Sequence, residues 1–270
     1  MAKILAITNQ KGGVGKTTTS VNLAASLEAA DRHVLLIDLD PQGNATMGSG
    51  VDKRILRHTV YQVLLGSESI ADVRVTSTSG KYDLIPANRE LAGAEIEMVD
   101  LPQRETRLKA ALQEVEKEYD FILIDCPPAL NLLTLNGLCA AHAVMIPMQC
   151  EYYALEGLSD LVNTVKKVRA NLNPVLEIEG LLRTMFDPRN ILAQQVSDQL
   201  QQHFGDKVYR TVIPRNVRLA EAPSFGIPAL YHDKLSKGTQ AYLALAGEML
   251  NRDASSLAPV EQDHEQKLEA

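Results

Sequence analysis

Lys11-Gly12-Gly13-Val14-Gly15-Lys16-Thr17-Thr18 follows the apolar run Ile4-Leu5-Ala6-Ile7 almost directly. A strand that runs into a glycine-rich turn, ends in Lys-Thr and opens a helix is the sequence of a phosphate cradle. Backbone N–H groups wrap the phosphates, Lys16 reaches the β and γ oxygens, and the Thr17 hydroxyl can sit on Mg²⁺. The helix that begins at Thr17 adds the positive end of its dipole. The front of the stretch departs from the ordinary pattern. Glycine is required five residues before the Gly15-Lys16 pair, and Gln10 stands there, followed by a second lysine, Lys11, and the pair Gly12-Gly13.

Working outward, β-branched apolar runs alternate with helical periodicity, the signature of βαβ units and a mostly parallel, twisted sheet flanked by helices. The patterns predict strands over 3–8, 33–38, 82–86, 121–125, 143–147, 178–185 and 208–213. Helices are predicted over 17–30, 91–100, 105–118, 132–140, 155–171, 192–204 and 240–250. Several strands are apolar throughout, as strands buried on both faces are. The chain has 270 residues, 45% hydrophobic and 23% charged, a globular composition that suits one large α/β domain. We therefore expect a single domain over 1–250 and an acidic, disordered tail over 251–270.

A net charge of −7 excludes a wholesale electrostatic trap for nucleic acid, so any DNA contact must come from a local basic patch. Three cysteines, Cys126, Cys139 and Cys150, form neither a disulfide framework nor a Cys-x-x-Cys metal pair and are expected to be reduced and buried. No run is long and apolar enough to span a membrane, and the N-terminus reads as a strand rather than a signal peptide, which predicts a cytoplasmic protein.

Two further stretches carry carboxylates. Phe121-Ile122-Leu123-Ile124-Asp125 is a buried strand that delivers Asp125 to its C-terminal tip, the edge where open α/β sheets bind ligands. Asp125 is a candidate Mg²⁺ residue, acting through water; the alternative is a capping Asp after a strand. No glutamate follows it to place the attacking water, since Cys126-Pro127-Pro128 stand there. Leu35-Leu36-Ile37-Asp38-Leu39-Asp40-Pro41-Gln42-Gly43-Asn44 supplies the replacement. Asp38 and Asp40 lie on the same side of an extended chain, and Pro41 and Gly43 turn it sharply. Asp40 is the candidate for the water and Asp38 for a hydrogen bond or the Mg²⁺ shell; an Asx-type turn is the structural alternative.

Together these motifs resemble the ParA/Soj partitioning ATPases, a deviant Walker A branch of the P-loop NTPases that includes MinD. The resemblance continues through Gln149-Cys150-Glu151-Tyr152-Tyr153-Ala154-Leu155-Glu156-Gly157 and Val212-Ile213-Pro214-Arg215-Asn216-Val217-Arg218, which look most like chromosomal Soj proteins. It implies an ATPase of slow intrinsic turnover that uses Mg²⁺ and works as an ATP-bound homodimer. In such a dimer Lys11 reaches the partner's phosphates, as a cation offered in trans to a transferring phosphoryl group. The alternative for Lys11, a solvated loop lysine, is the poorer account of a lysine set between a strand and Gly12-Gly13. The resemblance also implies that Pro214 and Asn216 lie near the adenine. It implies non-specific DNA binding, hence nucleoid association, through late basic residues, for which Arg189, Arg218, Arg215, Lys234 and Lys237 are the candidates. A ParB-type centromere-binding protein would stimulate hydrolysis. A MinD-like membrane ATPase is the rival reading, but the stretch from Asp253 to Asp263 is acidic, holds Pro259 and offers no apolar face. An iron–sulfur carrier would need a cysteine pair that these three cysteines do not form.

Overall fold

The computed structural model describes residues 1–257. Eight strands form one sheet: β1 (Lys3–Ile7), β2 (Val34–Asp38), β3 (Val75–Thr76), β4 (Asp83–Ile85), β5 (Phe121–Asp125), β6 (Ala143–Met148), β7 (Glu177–Phe186) and β8 (Val208–Pro214). Their order is β3-β4-β2-β5-β1-β6-β7-β8, and every pairing is parallel except the short antiparallel β3–β4 edge. This is the mostly parallel, helix-flanked sheet expected from the alternating pattern.

The central strands are buried along their whole length because both faces are covered. Alternate residues serve opposite cores, as the two-residue period of a strand dictates. Ile4, Leu35, Ile37, Ile122 and Ile124 enter the core under the helices Leu91–Glu97, Leu132–Ala140 and Ala154–Asn171. Leu5, Ile7, Leu36 and Leu123 enter the other, under helix α1 (Lys16–Glu28) and the last helix, Lys237–Leu257. At about 1.5–3 kcal/mol per buried aliphatic side chain, these two layers dominate the stability of the fold.

Register places the chemistry. Asp38 of β2 and Ile7 of β1 are both partners of Asp125 in β5, so three loops leave one edge of the sheet side by side. They are the loops of the phosphate motif, the Asp38–Gly43 turn and the Asp125–Pro128 stretch.

Several boundaries differ from expectation. The helix predicted over 105–118 breaks into Arg107–Leu112 and a short 3₁₀ turn, Glu116–Glu118; Glu114 and Glu118, one helical turn apart, would repel in a continuous helix. Short helices at Asn44–Gly48, Val60–Leu65 and Ile70–Val73 occupy a stretch with no predicted element. The last helix runs to Leu257 and so takes in the first seven residues of the expected tail. It is held there by Arg252, whose guanidinium lies 4.2 Å from the Tyr209 ring centre, and by a hydrogen bond from Lys3 to Asp253. The remainder of that expected tail, 258–270, lies outside the described residues.

Candidate functional site

The phosphate loop depends on two glycines in left-handed backbone, Gly13 (φ 74°) and Gly15 (φ 89°). Such angles cost a side-chain-bearing residue about 1–2 kcal/mol each, which explains glycine at both positions. Gly15 precedes α1, whose first amides point into the loop. Thr184, from the end of β7, donates its hydroxyl to the Val14 carbonyl at 2.7 Å and fixes the loop from below. A side chain at Gly12 or Gly13 would meet nothing within 4 Å, so the open side of the loop faces space for a ligand.

Lys16 is buried, and its ammonium donates to the Lys11 carbonyl at 3.1 Å, folded across its own loop. Burial lowers its pKa, against the charges of Asp125 and Asp40. The Thr17 hydroxyl donates to Asp125 Oδ2 and the Ser20 hydroxyl to Asp125 Oδ1, both at 2.8 Å. Asp125 is buried, and that burial, with the charge of Asp38 beside it, raises its pKa.

Thr17 and Asp125 thus bring two hard oxygen donors together near Lys16. Among the described residues no group of three His, Cys, Asp or Glu side chains could hold a metal ion. This donor set fits Mg²⁺, which is commonly bound through one or two protein oxygens with phosphates and water completing its shell.

The two carboxylates of the Asp38–Asp40 motif are not equivalent. Asp38 is fully buried; Oδ2 accepts from the amide and hydroxyl of Thr46, each at 2.8 Å, and Oδ1 from the Asp40 amide at 3.1 Å. Burial raises its pKa and the Thr46 hydrogen bonds oppose the rise. Both Asp38 oxygens are thus engaged in hydrogen bonds inside the chain. Asp40 is half-buried at the loop mouth; Oδ1 accepts from the Gln42 amide at 2.8 Å and Oδ2 accepts nothing among the described residues. The Asx turn foreseen as an alternative is present, and it engages Oδ1 alone.

Lys11 is exposed and forms an ion pair with the equally exposed Glu151. Its backbone amide donates to Asn9 Oδ1, and Asn9 in turn donates to the Pro147 carbonyl. Pro214 and Asn216 line a cavity of about 160 Å³ with Gly15, Thr18, Thr184 and Leu219, next to the first turn of α1. The Asn216 side chain accepts from the Arg218 amide at 3.0 Å and so caps the helix Val217–Glu221. A larger concavity, about 460 Å³, lies far along the chain among Glu68, Asp72, Arg107 and Glu114 and contains none of the motif residues.

The five basic candidates gather at one end of the sheet. Phe186 and Pro214 are register partners, so Arg189 and Arg215 leave adjacent strand ends. Arg218 binds both Glu221 (2.8 Å) and Asp233 (3.2 Å), which draws the Lys234 and Lys237 turn alongside. Arg189 is paired with Asp187 at 2.8 Å, whereas Arg215, Lys234 and Lys237 make no ion pair among the described residues. The three cysteines are free and buried, as expected. No helix among the described residues is long and apolar enough to cross a membrane.

The sequence reading assigns no role to Ser20, Thr46 or Thr184, and it does not pair Glu151 with Lys11. Ser20 alone was within reach, since it stands one turn beyond Thr17 on the same helical face.

A family model described as an AAA domain matches residues 2–178. The protein named sporulation initiation inhibitor protein Soj from Bacillus subtilis is 55% identical over 249 residues, 92% of this chain and 98% of that protein. The chromosome partitioning protein ParA of Caulobacter vibrioides is 51% identical over 253 residues, covering 93% and 95%. Among solved structures, one titled cobyrinic acid a,c-diamide synthase from Mycobacterium smegmatis, with a bound ATP analogue and magnesium, superposes with a TM-score of 0.83. That protein is 38% identical, with 95% of this chain and 97% of that one covered.

Proposed function

The chain belongs to the ParA/Soj family of P-loop ATPases, and from that premise we propose that it is a Soj/ParA-type partition ATPase. ATP and Mg²⁺ bind at the 11–18 loop, two protomers close face to face over their nucleotides, and the dimer binds DNA without sequence preference. Hydrolysis, stimulated by a ParB-type partner, releases it. The observation that carries this reading is the division of labour between two lysines. Lys16 is buried inside its own loop, whereas the Lys11 side chain stands exposed at the rim, paired among the described residues with the exposed Glu151.

Lys16 needs only to leave the Lys11 carbonyl to meet the β and γ phosphate oxygens. Thr17 and Asp125 would hold Mg²⁺, which when bound neutralises phosphate charge. Asp40, with Oδ1 locked in its turn, offers Oδ2 to orient the attacking water. Lys11 must exchange Glu151 for a phosphate across the dimer, and that exchange makes nucleotide state into dimer state. Phosphoryl transfer relies on such positioning and charge stabilisation more than on covalent chemistry, so a site completed only by a second chain turns over slowly alone.

The test is light scattering with ATP. Lys11→Ala is expected to bind ATP as the parent chain does and to remain monomeric. A normal ATP-dependent dimer of that variant would remove Lys11 from the role assigned to it. The MinD-like membrane reading turns on the stretch from Asp253 to Asp263, most of which lies outside the described residues; ATP-dependent flotation with liposomes would favour it.

A further inference from the structure

Two loops meet backbone to backbone outside the phosphate site. Gly50 closes the segment that begins at Asp38, and Gly226 closes the turn Ala222–Phe225 that follows Asn216 and Arg218. Both glycines have positive φ, 83° and 65°. A Cβ on Gly50 would stand 2.8 Å from the Gly226 carbonyl oxygen, and one on Gly226 would stand 3.1 Å from the Gly50 Cα. The two backbones therefore touch where no side chain fits, and Ser79 donates to the Gly226 carbonyl at 3.3 Å to seal the contact. Behind the contact lies a cavity of about 440 Å³, walled by Thr17, Thr18 and Val21 of α1, by Met47, and by Ser224 and Ile227.

Each loop is tied at its other end to the phosphate site. Residues 44–50 hang from Asp38 through the Thr46 amide and hydroxyl, and the Thr46 hydroxyl accepts from the Ala87 amide at 2.9 Å. Ser49 closes the unit, donating to the Ala45 carbonyl, while Ser77 donates to the Ser49 carbonyl, each at 2.7 Å. On the opposite side the Ala229 amide donates to Asn22 Oδ1 at 2.8 Å, and Asn22 donates to the Thr18 carbonyl at 2.8 Å. Arg218, bound to Glu221 and Asp233, rides on this second unit.

We propose that the Gly50–Gly226 contact is the mechanical coupling between the Asp38–Asp40 loop and the basic segment 215–232. Rearrangement of residues 40–48 around a γ-phosphate is transmitted by backbone contact into the turn that carries Arg218. Packed backbones cannot interpenetrate, so a shift of one unit moves the other or opens the cavity between them. This inference rests on the reading of the site as an ATP-switched DNA binder. Coupling of this kind is reciprocal, so DNA must tighten the binding of a non-hydrolysable ATP analogue by the factor by which the analogue tightens DNA.

Two measurements on the full chain test it. Hydrogen exchange with and without a non-hydrolysable ATP analogue and Mg²⁺ should show peptides covering 44–50 and 222–232 gaining protection together. Protection confined to one segment, or absent from both, overturns the coupling whatever the protein does with DNA. Gly50→Ala and Gly226→Ala should keep ATP affinity and ATP-dependent dimerisation but lose about tenfold in the ratio of DNA affinity with the analogue to that with ADP. An unchanged ratio in both variants overturns the coupling. A parent chain whose DNA affinity ignores nucleotide defeats the partition reading instead, and the exchange result then judges the coupling alone. The exchange comparison also decides the matter if neither variant folds.

Discussion

Lys16 and Asp40 illustrate how little of a functional side chain's role is visible in its identity. A lysine after Gly15 was legible because the loop needs a cation there, and the structure places it buried, with its ammonium on the Lys11 carbonyl. Charge-assisted hydrogen bonds contribute about 1.5–3 kcal/mol each, so Lys16→Ala should weaken ATP binding by roughly tenfold to a hundredfold in calorimetry. ATP affinity equal to that of the parent chain would count against the cradle. Asp40→Ala should keep ATP and the dimer while hydrolysis slows by about 10²–10³-fold, leaving the protein trapped on DNA. Phosphate release at the parent rate would show that another group places the water. Asp38 taught a different lesson. Two carboxylates two residues apart look alike in sequence, but one is fully buried and holds Thr46 and the other faces the loop mouth. Spacing placed both on one side of the chain and could not report which would find hydrogen-bond partners, because Thr46 reaches Asp38 only after the turn is made. Glu151 was quoted with its motif yet not read as the partner of Lys11, since 140 residues separate them.

The elements legible in advance were those long enough to show a period. All seven predicted strands are present within a residue or two, and the one missed, β3, has two residues. The short helices before β4 were missed because four to six residues cannot display helical periodicity. One of them did carry a signal, the capping box in which Thr59 and Gln62 exchange hydrogen bonds at the start of Val60–Leu65. The last helix was cut short in the prediction because residues after Leu250 carry no apolar pattern. Its extension rests on the placement of Arg252 over Tyr209 and its hydrogen bond to the Val208 carbonyl at 3.2 Å, contacts made across the fold. Arg252→Ala should therefore lower stability by about 1–2 kcal/mol, through lost packing and cation–π attraction, and leave ATP affinity unchanged. Urea denaturation reads the first and calorimetry the second. An unchanged midpoint would mean that this anchor contributes nothing to docking the helix.

The molecule as a whole is acidic, −7, while the proposed activity is attraction to a polyanion. The basic cluster resolves the tension locally: Arg189, Arg215, Arg218, Lys234 and Lys237 share one end of the β7–β8 edge. Two of these cations are already paired with carboxylates of their own chain, so on the proposed reading a single protomer would offer DNA a weak patch. In the proposed ATP dimer, two copies of the patch would raise a weak affinity by avidity without any new contact. Arg218→Ala should leave the ATP dimer intact in light scattering and reduce DNA affinity by about tenfold in fluorescence anisotropy. Unaltered affinity would move the DNA surface away from this edge. Contacts to phosphates alone release counterions, so the affinity must fall steeply with salt, by a logarithmic slope of about −0.9 per phosphate contacted. The most direct test is co-sedimentation of the full chain with DNA in ATP, in ADP and without nucleotide, each at two salt concentrations. Sedimentation is expected with ATP alone and weakened at the higher salt; sedimentation that ignores nucleotide, or none in any condition, would contradict ATP-switched DNA binding.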